Sequence, residues 1–207
     1  MKLLILLLSF SSLTCLAQSF EGKITYANSC KSKLPNLKDE QLNSMMGTTQ
    51  EYYIKGDNYK STFNGSFIKS QIYSGAENRS YTLTAKSDTL YWEDYGQNKD
   101  VATTYEIEKG KETIMGVLCD VLIVSAPHSK AYYYYNGKYG IDPELFKRHL
   151  YGNWYYFISK TRSLPLKTVY ENDQFILTSI AVNIAPAKLD DSLFKISDRN
   201  KTVPATW

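Results

Sequence analysis

The chain has 207 residues, 43% of them hydrophobic and 22% charged, with a formal net charge of +3. That length fits one ordinary domain, the apolar content excludes wholesale disorder, and the charge is too small for a nucleic-acid binder. With 11 Gly and 6 Pro a collagen-like chain is excluded, while 18 Tyr against 8 Phe and 3 Trp stand out.

Met1-Lys2, the aliphatic run Leu3 to Leu8 and the small residues up to Ala17 read as a secretory signal peptide over residues 1–17, cleaved after Ala17. The run is too short to span a bilayer as a helix of ~20 apolar residues. Lipoprotein processing at Cys15 is the rival reading, and Thr14 fits it poorly because it is larger than the residues usual before that cysteine. Removing 17 of the 207 residues leaves 190, numbers 18–207, read as a single β-rich domain. Losing Lys2 leaves 23 basic and 21 acidic side chains, a net +2 that argues against DNA or an anionic membrane surface as an electrostatic partner. Later apolar runs fall short of ~18 residues, so no transmembrane segment is expected in the mature chain. Export points to the periplasm or the exterior of the cell. There Cys30 and Cys119 either form a disulfide, worth ~4–5 kcal/mol by chain entropy, or stay separate thiols with Cys119 a small core residue.

Phe20, Gly22, Ile24 and Tyr26 alternate with polar or small residues, the period of a half-buried strand. Leu37 to Met46 predicts a short helix, capped by Asn36 and ended by Gly47. Tyr52-Tyr53-Ile54 and Tyr59 to Phe63 flank the turn Gly56-Asp57-Asn58. Phe67 to Tyr73, Tyr81 to Leu83 and Leu90 to Trp92 follow at turn intervals of about 8–12 residues, the spacing of an antiparallel meander. Val101 to Ile107 is β-prone, and Ile114 to Val124 reads as one central, well-buried strand. After the strand Ala131 to Tyr135, Asp142-Pro143-Glu144 predicts a helix running to about Leu150. Asn153 to Ser159, Leu164 to Tyr170 and Phe175 to Ile184 predict three more strands, and Asp190 to Phe194 a final helical turn. Helices this few and short exclude alternating βαβ units.

Four stretches resemble a known group: Phe20 to Tyr26, Lys111 to Cys119, Ser163-Leu164-Pro165-Leu166-Lys167, and Asp190 to Ile196. They are similar to exported Bacteroidetes proteins of the DUF4412 and GLPGLI families, and the Leu-Ala-Gln close of the leader resembles exported proteins of that phylum. The Gly-Leu-Pro-Gly run itself is absent. The resemblance implies a LolA-like fold: mainly β (α+β), a curved antiparallel sheet forming an incomplete β-barrel, with two or three short helices covering an apolar hollow. It implies no enzyme activity.

Catalytic motifs are not found: the nucleophile elbow, the phosphate loop, the dinucleotide fingerprint and the zinc-protease helix are all missing. His128 and His149 are isolated and read as surface or packing residues, two cysteines cannot complete a four-ligand zinc site, and no cofactor is expected. The neighbours Glu93-Asp94 point to opposite faces of a strand and cannot flank one substrate together. Asp88-Thr89-Leu90 and Asp191-Ser192-Leu193 resemble a Bacteroidetes O-glycosylation acceptor, making Thr89 and Ser192 candidate sites, with plain turn chemistry the alternative. The aromatic run is the remaining lead. Tyr132 and Tyr134 face one way along a strand, Tyr133 and Tyr135 the other, and either parity is open. Cross-strand packing is the bland account. The sharper one places Trp92, Tyr132, Tyr134, Trp154, Tyr155 and Phe157 in the wall of a ligand cavity. The leading expectation is a non-enzymatic envelope protein binding a lipid or lipidated protein. A tyrosine-rich interaction module for an envelope protein or glycan comes second, and a hydrolase with an unrecognised site last.

Overall fold

The computed structural model describes residues 19–197 and 201–206; the leader at 1–17 lies outside the described residues. The early turn signals become a meander: β1 (Gly22–Ser32), β2 (Thr49–Lys55), β3 (Asn58–Phe63), β4 (Ile68–Ser74), β5 (Arg79–Thr84) and β6 (Leu90–Asp94). A second meander follows, β7 (Thr104–Ile114), β8 (Val117–Ser125), β9 (Ser129–Gly140), β10 (Ser163–Asn172) and β11 (Phe175–Pro186). The short β12 (Thr202–Pro204) pairs in parallel with β6. The sheet order is β12-β6-β5-β4-β3-β2-β1-β11-β10-β9-β8-β7, so all twelve strands form one sheet whose edges are β12 and β7. Every other pairing is antiparallel, which makes this a mainly β fold built on one open sheet.

The two meanders join only where β1 meets β11, from Gly22 opposite Pro186 to Ser32 opposite Phe175. Gly22 has φ +152, and a Cβ there would lie 2.4 Å from the Ala185 carbonyl oxygen. Helix α1 (Asp39–Met46) is tied to β1 by one side chain. Asn43 Oδ1 accepts from Cys30 N at 2.8 Å, and its Nδ2 donates to Cys30 O at 2.8 Å, imitating one more strand residue. The cap of α1 is Lys38 rather than Asn36, with the Gln41 side chain accepting from Lys38 N at 3.1 Å.

Several expectations are corrected. Ile114 to Val124 is two strands, because Met115 (φ 49) and Gly116 (φ 75) take left-handed conformations and turn the chain from β7 into β8. The helix expected over 142–150 is a 3-10 turn at Pro143–Phe146, capped as foreseen by Asp142, whose carboxylate accepts from Glu144 N at 3.2 Å. Asn153 to Ser159 is not a strand: helix α2 spans Trp154–Thr161 and buries Phe157, Ile158 and Thr161, spaced i, i+1 and i+4 on one helical face. The last helical turn appears as a 3-10 helix at Asp191–Phe194. The disulfide is not formed; Cys30 and Cys119 are separate buried thiols. Cys30 is opposite Leu177 on β11, and that row continues through Tyr170 and Ala131 to Val124 on β8, five residues beyond Cys119. Three strands intervene at ~4.8 Å each, far outside the ~7 Å that a disulfide tolerates between Cα atoms. Of the two glycosylation candidates, Ser192 is exposed within its 3-10 turn, and Thr89 is half-buried just before β6.

The seam yields a direct test. Gly22→Ala should lower the denaturant midpoint by an amount equivalent to about 2 kcal/mol, since both φ and space forbid a methyl group there. Gly137→Ala, with nothing within 4 Å of its Cβ position, should be neutral or slightly stabilising in the same titration.

Candidate functional site

Directly paired strand residues share a face, so the register shows what lines the inner surface. Ile54, Tyr59, Tyr73, Ser80 and Glu93 form one row across β2 to β6, and Ile24, Tyr52, Ser61, Gln71 and Thr82 the next across β1 to β5. Their rings meet as a ladder: Tyr52–Tyr59 at 5.4 Å, Tyr59–Tyr73 at 4.9 Å, Tyr73–Tyr95 at 5.7 Å and Tyr95–Tyr151 at 4.4 Å, the last pair parallel to within 4°. On the β8–β10 side the inner parity is Ala131, Tyr133 and Tyr135, with Phe157 of α2 stacked on Tyr133 at 4.3 Å. Trp154 bridges the two halves, 5.7 Å from Phe157 and 6.3 Å from Phe146.

His149 sits inside the ladder, 4.6 Å from the Tyr73 ring and 4.7 Å from that of Tyr95. Its Nε2 and Tyr59 Oη share a hydrogen bond of 2.9 Å. Burial among these rings penalises the imidazolium and pulls the His149 pKa down to about 3. The same desolvation raises the pKa of Tyr59, Tyr95 and Tyr133, so the whole ladder is neutral at physiological pH.

The segment carrying His149 is pinned by backbone-directed bonds. Tyr95 O accepts from Leu150 N at 2.7 Å and Tyr151 N at 3.0 Å. Arg148 donates to Gly75 O at 2.6 Å, and Asn78 Nδ2 donates to Arg148 O at 3.0 Å. Asn153, left-handed at φ 59, is a buried hub: its Oδ1 accepts from Asn98 Nδ2 at 2.8 Å and Ala102 N at 2.9 Å, and its Nδ2 donates to Asp100 O at 2.9 Å. Asp100 in turn accepts from His128 N at 2.9 Å and Ser129 Oγ at 2.5 Å, fastening the 95–103 loop to the start of β9.

These contacts hold open a cavity of about 860 Å³. Its lining comes from β6 and β12 on one side and from β8 to β11 on the other, so the sheet bends round the space. Aromatic and apolar groups include Tyr133, Tyr151, Tyr170, Phe175 and Leu177; polar groups include Glu93, Asn98 and Asp100. Tyr151 is 44% exposed although its other face is stacked on Tyr95, so its ring is presented to the space.

Of the six residues expected in a wall, Trp92 alone lines this cavity, at its rim, with the Arg79 guanidinium 4.0 Å from its ring. Tyr132 and Tyr134 have the outer parity; Tyr134 lies under Lys167 Nζ at 4.8 Å, and that ammonium bonds Glu112 at 2.7 Å. Trp154, Tyr155 and Phe157 belong to α2 and pack with the core, Phe157 completely buried. Tyr133 takes the inner parity that the sequence left open, and Tyr151, Tyr170 and Phe175 are brought to the wall only by tertiary pairing. Glu93 and Asp94, expected to be parted by strand alternation, both line the space because β6 ends at Asp94 on the cavity rim.

Among the described residues no cluster of three or more His, Cys, Asp or Glu side chains is placed to hold a metal ion, and no helix is long and apolar enough to cross a membrane. No family model matches the sequence, and no curated protein matches it. Among solved structures the chain is similar to PNGF-II in two crystal forms. In the P21 form the TM-score is 0.49 and in the C2 form 0.50, each at 14% identity over 90% of this chain. The chain spans about a third of PNGF-II, 32% and 31% of its length in the two forms, and at that identity the likeness concerns the fold alone.

The buried histidine has a pH signature. An unfolded chain protonates His149 near its ordinary pKa of about 6.5, while the folded protein resists until about 3, so stability falls as pH drops through that window. Between pH 6 and 5 the loss should be about 1 kcal/mol, above the range where carboxylates titrate. Denaturant titrations of His149→Phe, which keeps a ring in the stack, should show that slope flattened.

Proposed function

We propose that this chain is an exported, non-enzymatic envelope protein that holds a hydrophobic or amphiphilic ligand in the hollow of its bent sheet. The observation that carries the reading is the cavity. Its volume of about 860 Å³ falls among small-molecule sites, which run to roughly 300–1,000 Å³ and combine aromatic walls with a few polar groups. An open sheet with α2 packed against its inner side supports the half-barrel, LolA-like architecture that the sequence resemblance implies. The leader pattern at 1–17 supports export to the periplasm or beyond. A lipid, or the acyl part of a lipidated protein, would lie against Tyr133, Tyr170, Phe175 and Leu177, with its head towards the loop carrying Asn98 and Asp100.

A second reading, an interaction module for another envelope protein or a glycan, is favoured by aromatic residues at the surface. Tyr132, of the outer parity, lies under Lys130 at 5.2 Å, and beside the β7 edge Tyr105 and Tyr156 share Lys160 at 4.4 and 4.7 Å, giving amphipathic aromatic patches suited to interfaces.

The two readings separate in one experiment. The neutral fluorescent amphiphile N-phenyl-1-naphthylamine should bind the delipidated protein saturably and be displaced by phospholipid. Thr168→Trp, which fills the cavity from β10, should weaken that binding at least tenfold while leaving the circular dichroism spectrum unchanged. A folded protein that binds neither the probe nor any member of a broad lipid panel would exclude the ligand-carrying role.

A further inference from the structure

The tyrosine ladder ends on an open ring. Tyr151 stacks on Tyr95 at 4.4 Å, parallel to within 4°, so one face is covered while the other is turned to the cavity. Gly152 continues the wall beside it with nothing within 4 Å of its Cβ position, so the space over this stretch of chain is unfilled. Uncharged polar groups surround that space. Asn98 is bonded to Asn153, two residues from Tyr151, which sets the 95–103 loop along this side. Gln97 in that loop and Thr168 on β10 line the cavity, and their side chains make no hydrogen bond to the described residues; the Tyr151 and Tyr170 hydroxyl groups make none either. The charges at the rim are of both signs and mostly engaged. Asp100 accepts from His128 N and Ser129 Oγ, Asp94 Oδ1 accepts from Gly96 N at 2.8 Å, and the Arg79 guanidinium lies over Trp92. Glu93 also has a partner, and Lys99 is exposed.

With the charges paired or mixed, recognition at this end falls to a ring face and to uncharged donors and acceptors. The face of an aromatic ring is the negative side of its quadrupole and favours polarised C–H groups laid against it. A pyranose ring carries such C–H groups on its face and hydroxyl groups round its edge. Stacked on Tyr151, it would extend the ladder by one step and bring its hydroxyls to the loop carrying Gln97. An alkyl chain or a flat aromatic ligand would cover the ring but leave the polar groups at its edge without partners, which weakens binding. Bulk aliphatic contact is also sparse, since Val124 and Leu177 are the branched aliphatic residues of the described lining. We infer that the head end of the cavity holds an uncharged sugar ring on the open face of Tyr151, so that the amphiphile it takes is a neutral glycolipid. This inference rests on the ligand-binding reading above and adds the chemical class of the head group.

Four probes with one tail and different heads test it: decyl maltoside, decyl tetra(ethylene glycol) ether, decyl sulfate and decyltrimethylammonium, titrated calorimetrically below their micelle concentrations. The maltoside should bind at least fivefold more tightly than the ether, which is also uncharged but has no ring, and more tightly than both charged probes. Its affinity should be unchanged between 20 and 500 mM sodium chloride. In proton spectra the C–H signals of the bound glucosyl ring should move upfield, the shift expected over a ring face. Tyr151→Leu should abolish that shift and bring maltoside affinity down to that of the ether, with ether affinity retained, whereas Tyr151→Phe should keep both. Gln97→Ala, on the exposed loop, supplies the same comparison with a smaller change if Tyr151→Leu disturbs folding. Ether or a charged probe binding as tightly as the maltoside, or a maltoside preference that survives both Tyr151→Leu and Gln97→Ala, would overturn the sugar assignment and leave ligand binding standing. Failure of all four to bind the folded protein would remove the ligand-binding reading and this inference together.

Discussion

The pairing of β1 with β11 is the constraint on which the rest of the molecule depends. Within each meander most hairpins close over short turns, with longer connections through α1 and α2, but only this seam makes them a single sheet. It joins residues about 150 positions apart, so its loop-closure entropy must be met by pairing along the full length of β1. The approach at Gly22 leaves no room for a side chain, and a register shift opposite Thr25 and Tyr26, where Val182 is the extra residue, puts a β-bulge on β11 within the seam. Because the seam lies in the middle of the strand order, a bend there carries the β6 end round towards β8–β11. The cavity is a consequence of that bend.

Within the bend the molecule uses tyrosine where many β-sheet cores use leucine or valine. Rings fill the concave face and hydroxyl groups reach the few polar atoms available, as Tyr73 Oη does to Asn78 Oδ1 at 2.8 Å and Tyr26 Oη to Pro165 O at 2.8 Å. Burying a phenol without a partner is costly, which ties the bonded rings to one orientation, whereas Tyr52 Oη is buried with no hydrogen bond. His149 extends the same principle, since a neutral imidazole offers both flat contact and a hydrogen bond to Tyr59. The polar hub at Asn153 then fixes the loop forming one lip of the cavity, so the inner wall and the mouth are positioned by one connected set of contacts.

Much of this was legible from local pattern. Period-two alternation and turn residues mark β1 to β6, β9, β10 and β11 with modest errors at their ends. Elsewhere composition misled. Trp154-Tyr155-Tyr156-Phe157 is rich in β-formers, yet the spacing of Trp154, Phe157, Ile158 and Thr161 is helical, and burial of that face prevailed over intrinsic propensity. The apolar run from Ile114 to Val124 concealed a turn because Met115, an unusual residue for positive φ, begins it. For the cavity, the tyrosine excess corresponds to an aromatic lining, and the run at 132–135 lies on a strand that contributes Ala131 and Tyr133 to it. The parity of that strand, and the meeting of Glu93 with Tyr151 and Tyr170, depend on pairings between distant segments that no local pattern encodes.

The two edges of the sheet carry a consequence for how the protein associates. On β7, Lys109, Gly110 and Lys111 face a single residue of β8, Asp120, which bonds Lys109 Nζ at 2.7 Å and Gly110 N at 3.0 Å. An arriving strand would have to follow that kink and pair beside charged residues throughout Glu106 to Glu112. At the other edge β12 offers three residues, the last a proline without an amide donor. A long, open, tyrosine-rich sheet is thereby kept from growing by strand addition. Copies of the chain can crowd together without templating fibrils, and assembly is left to the faces of the sheet.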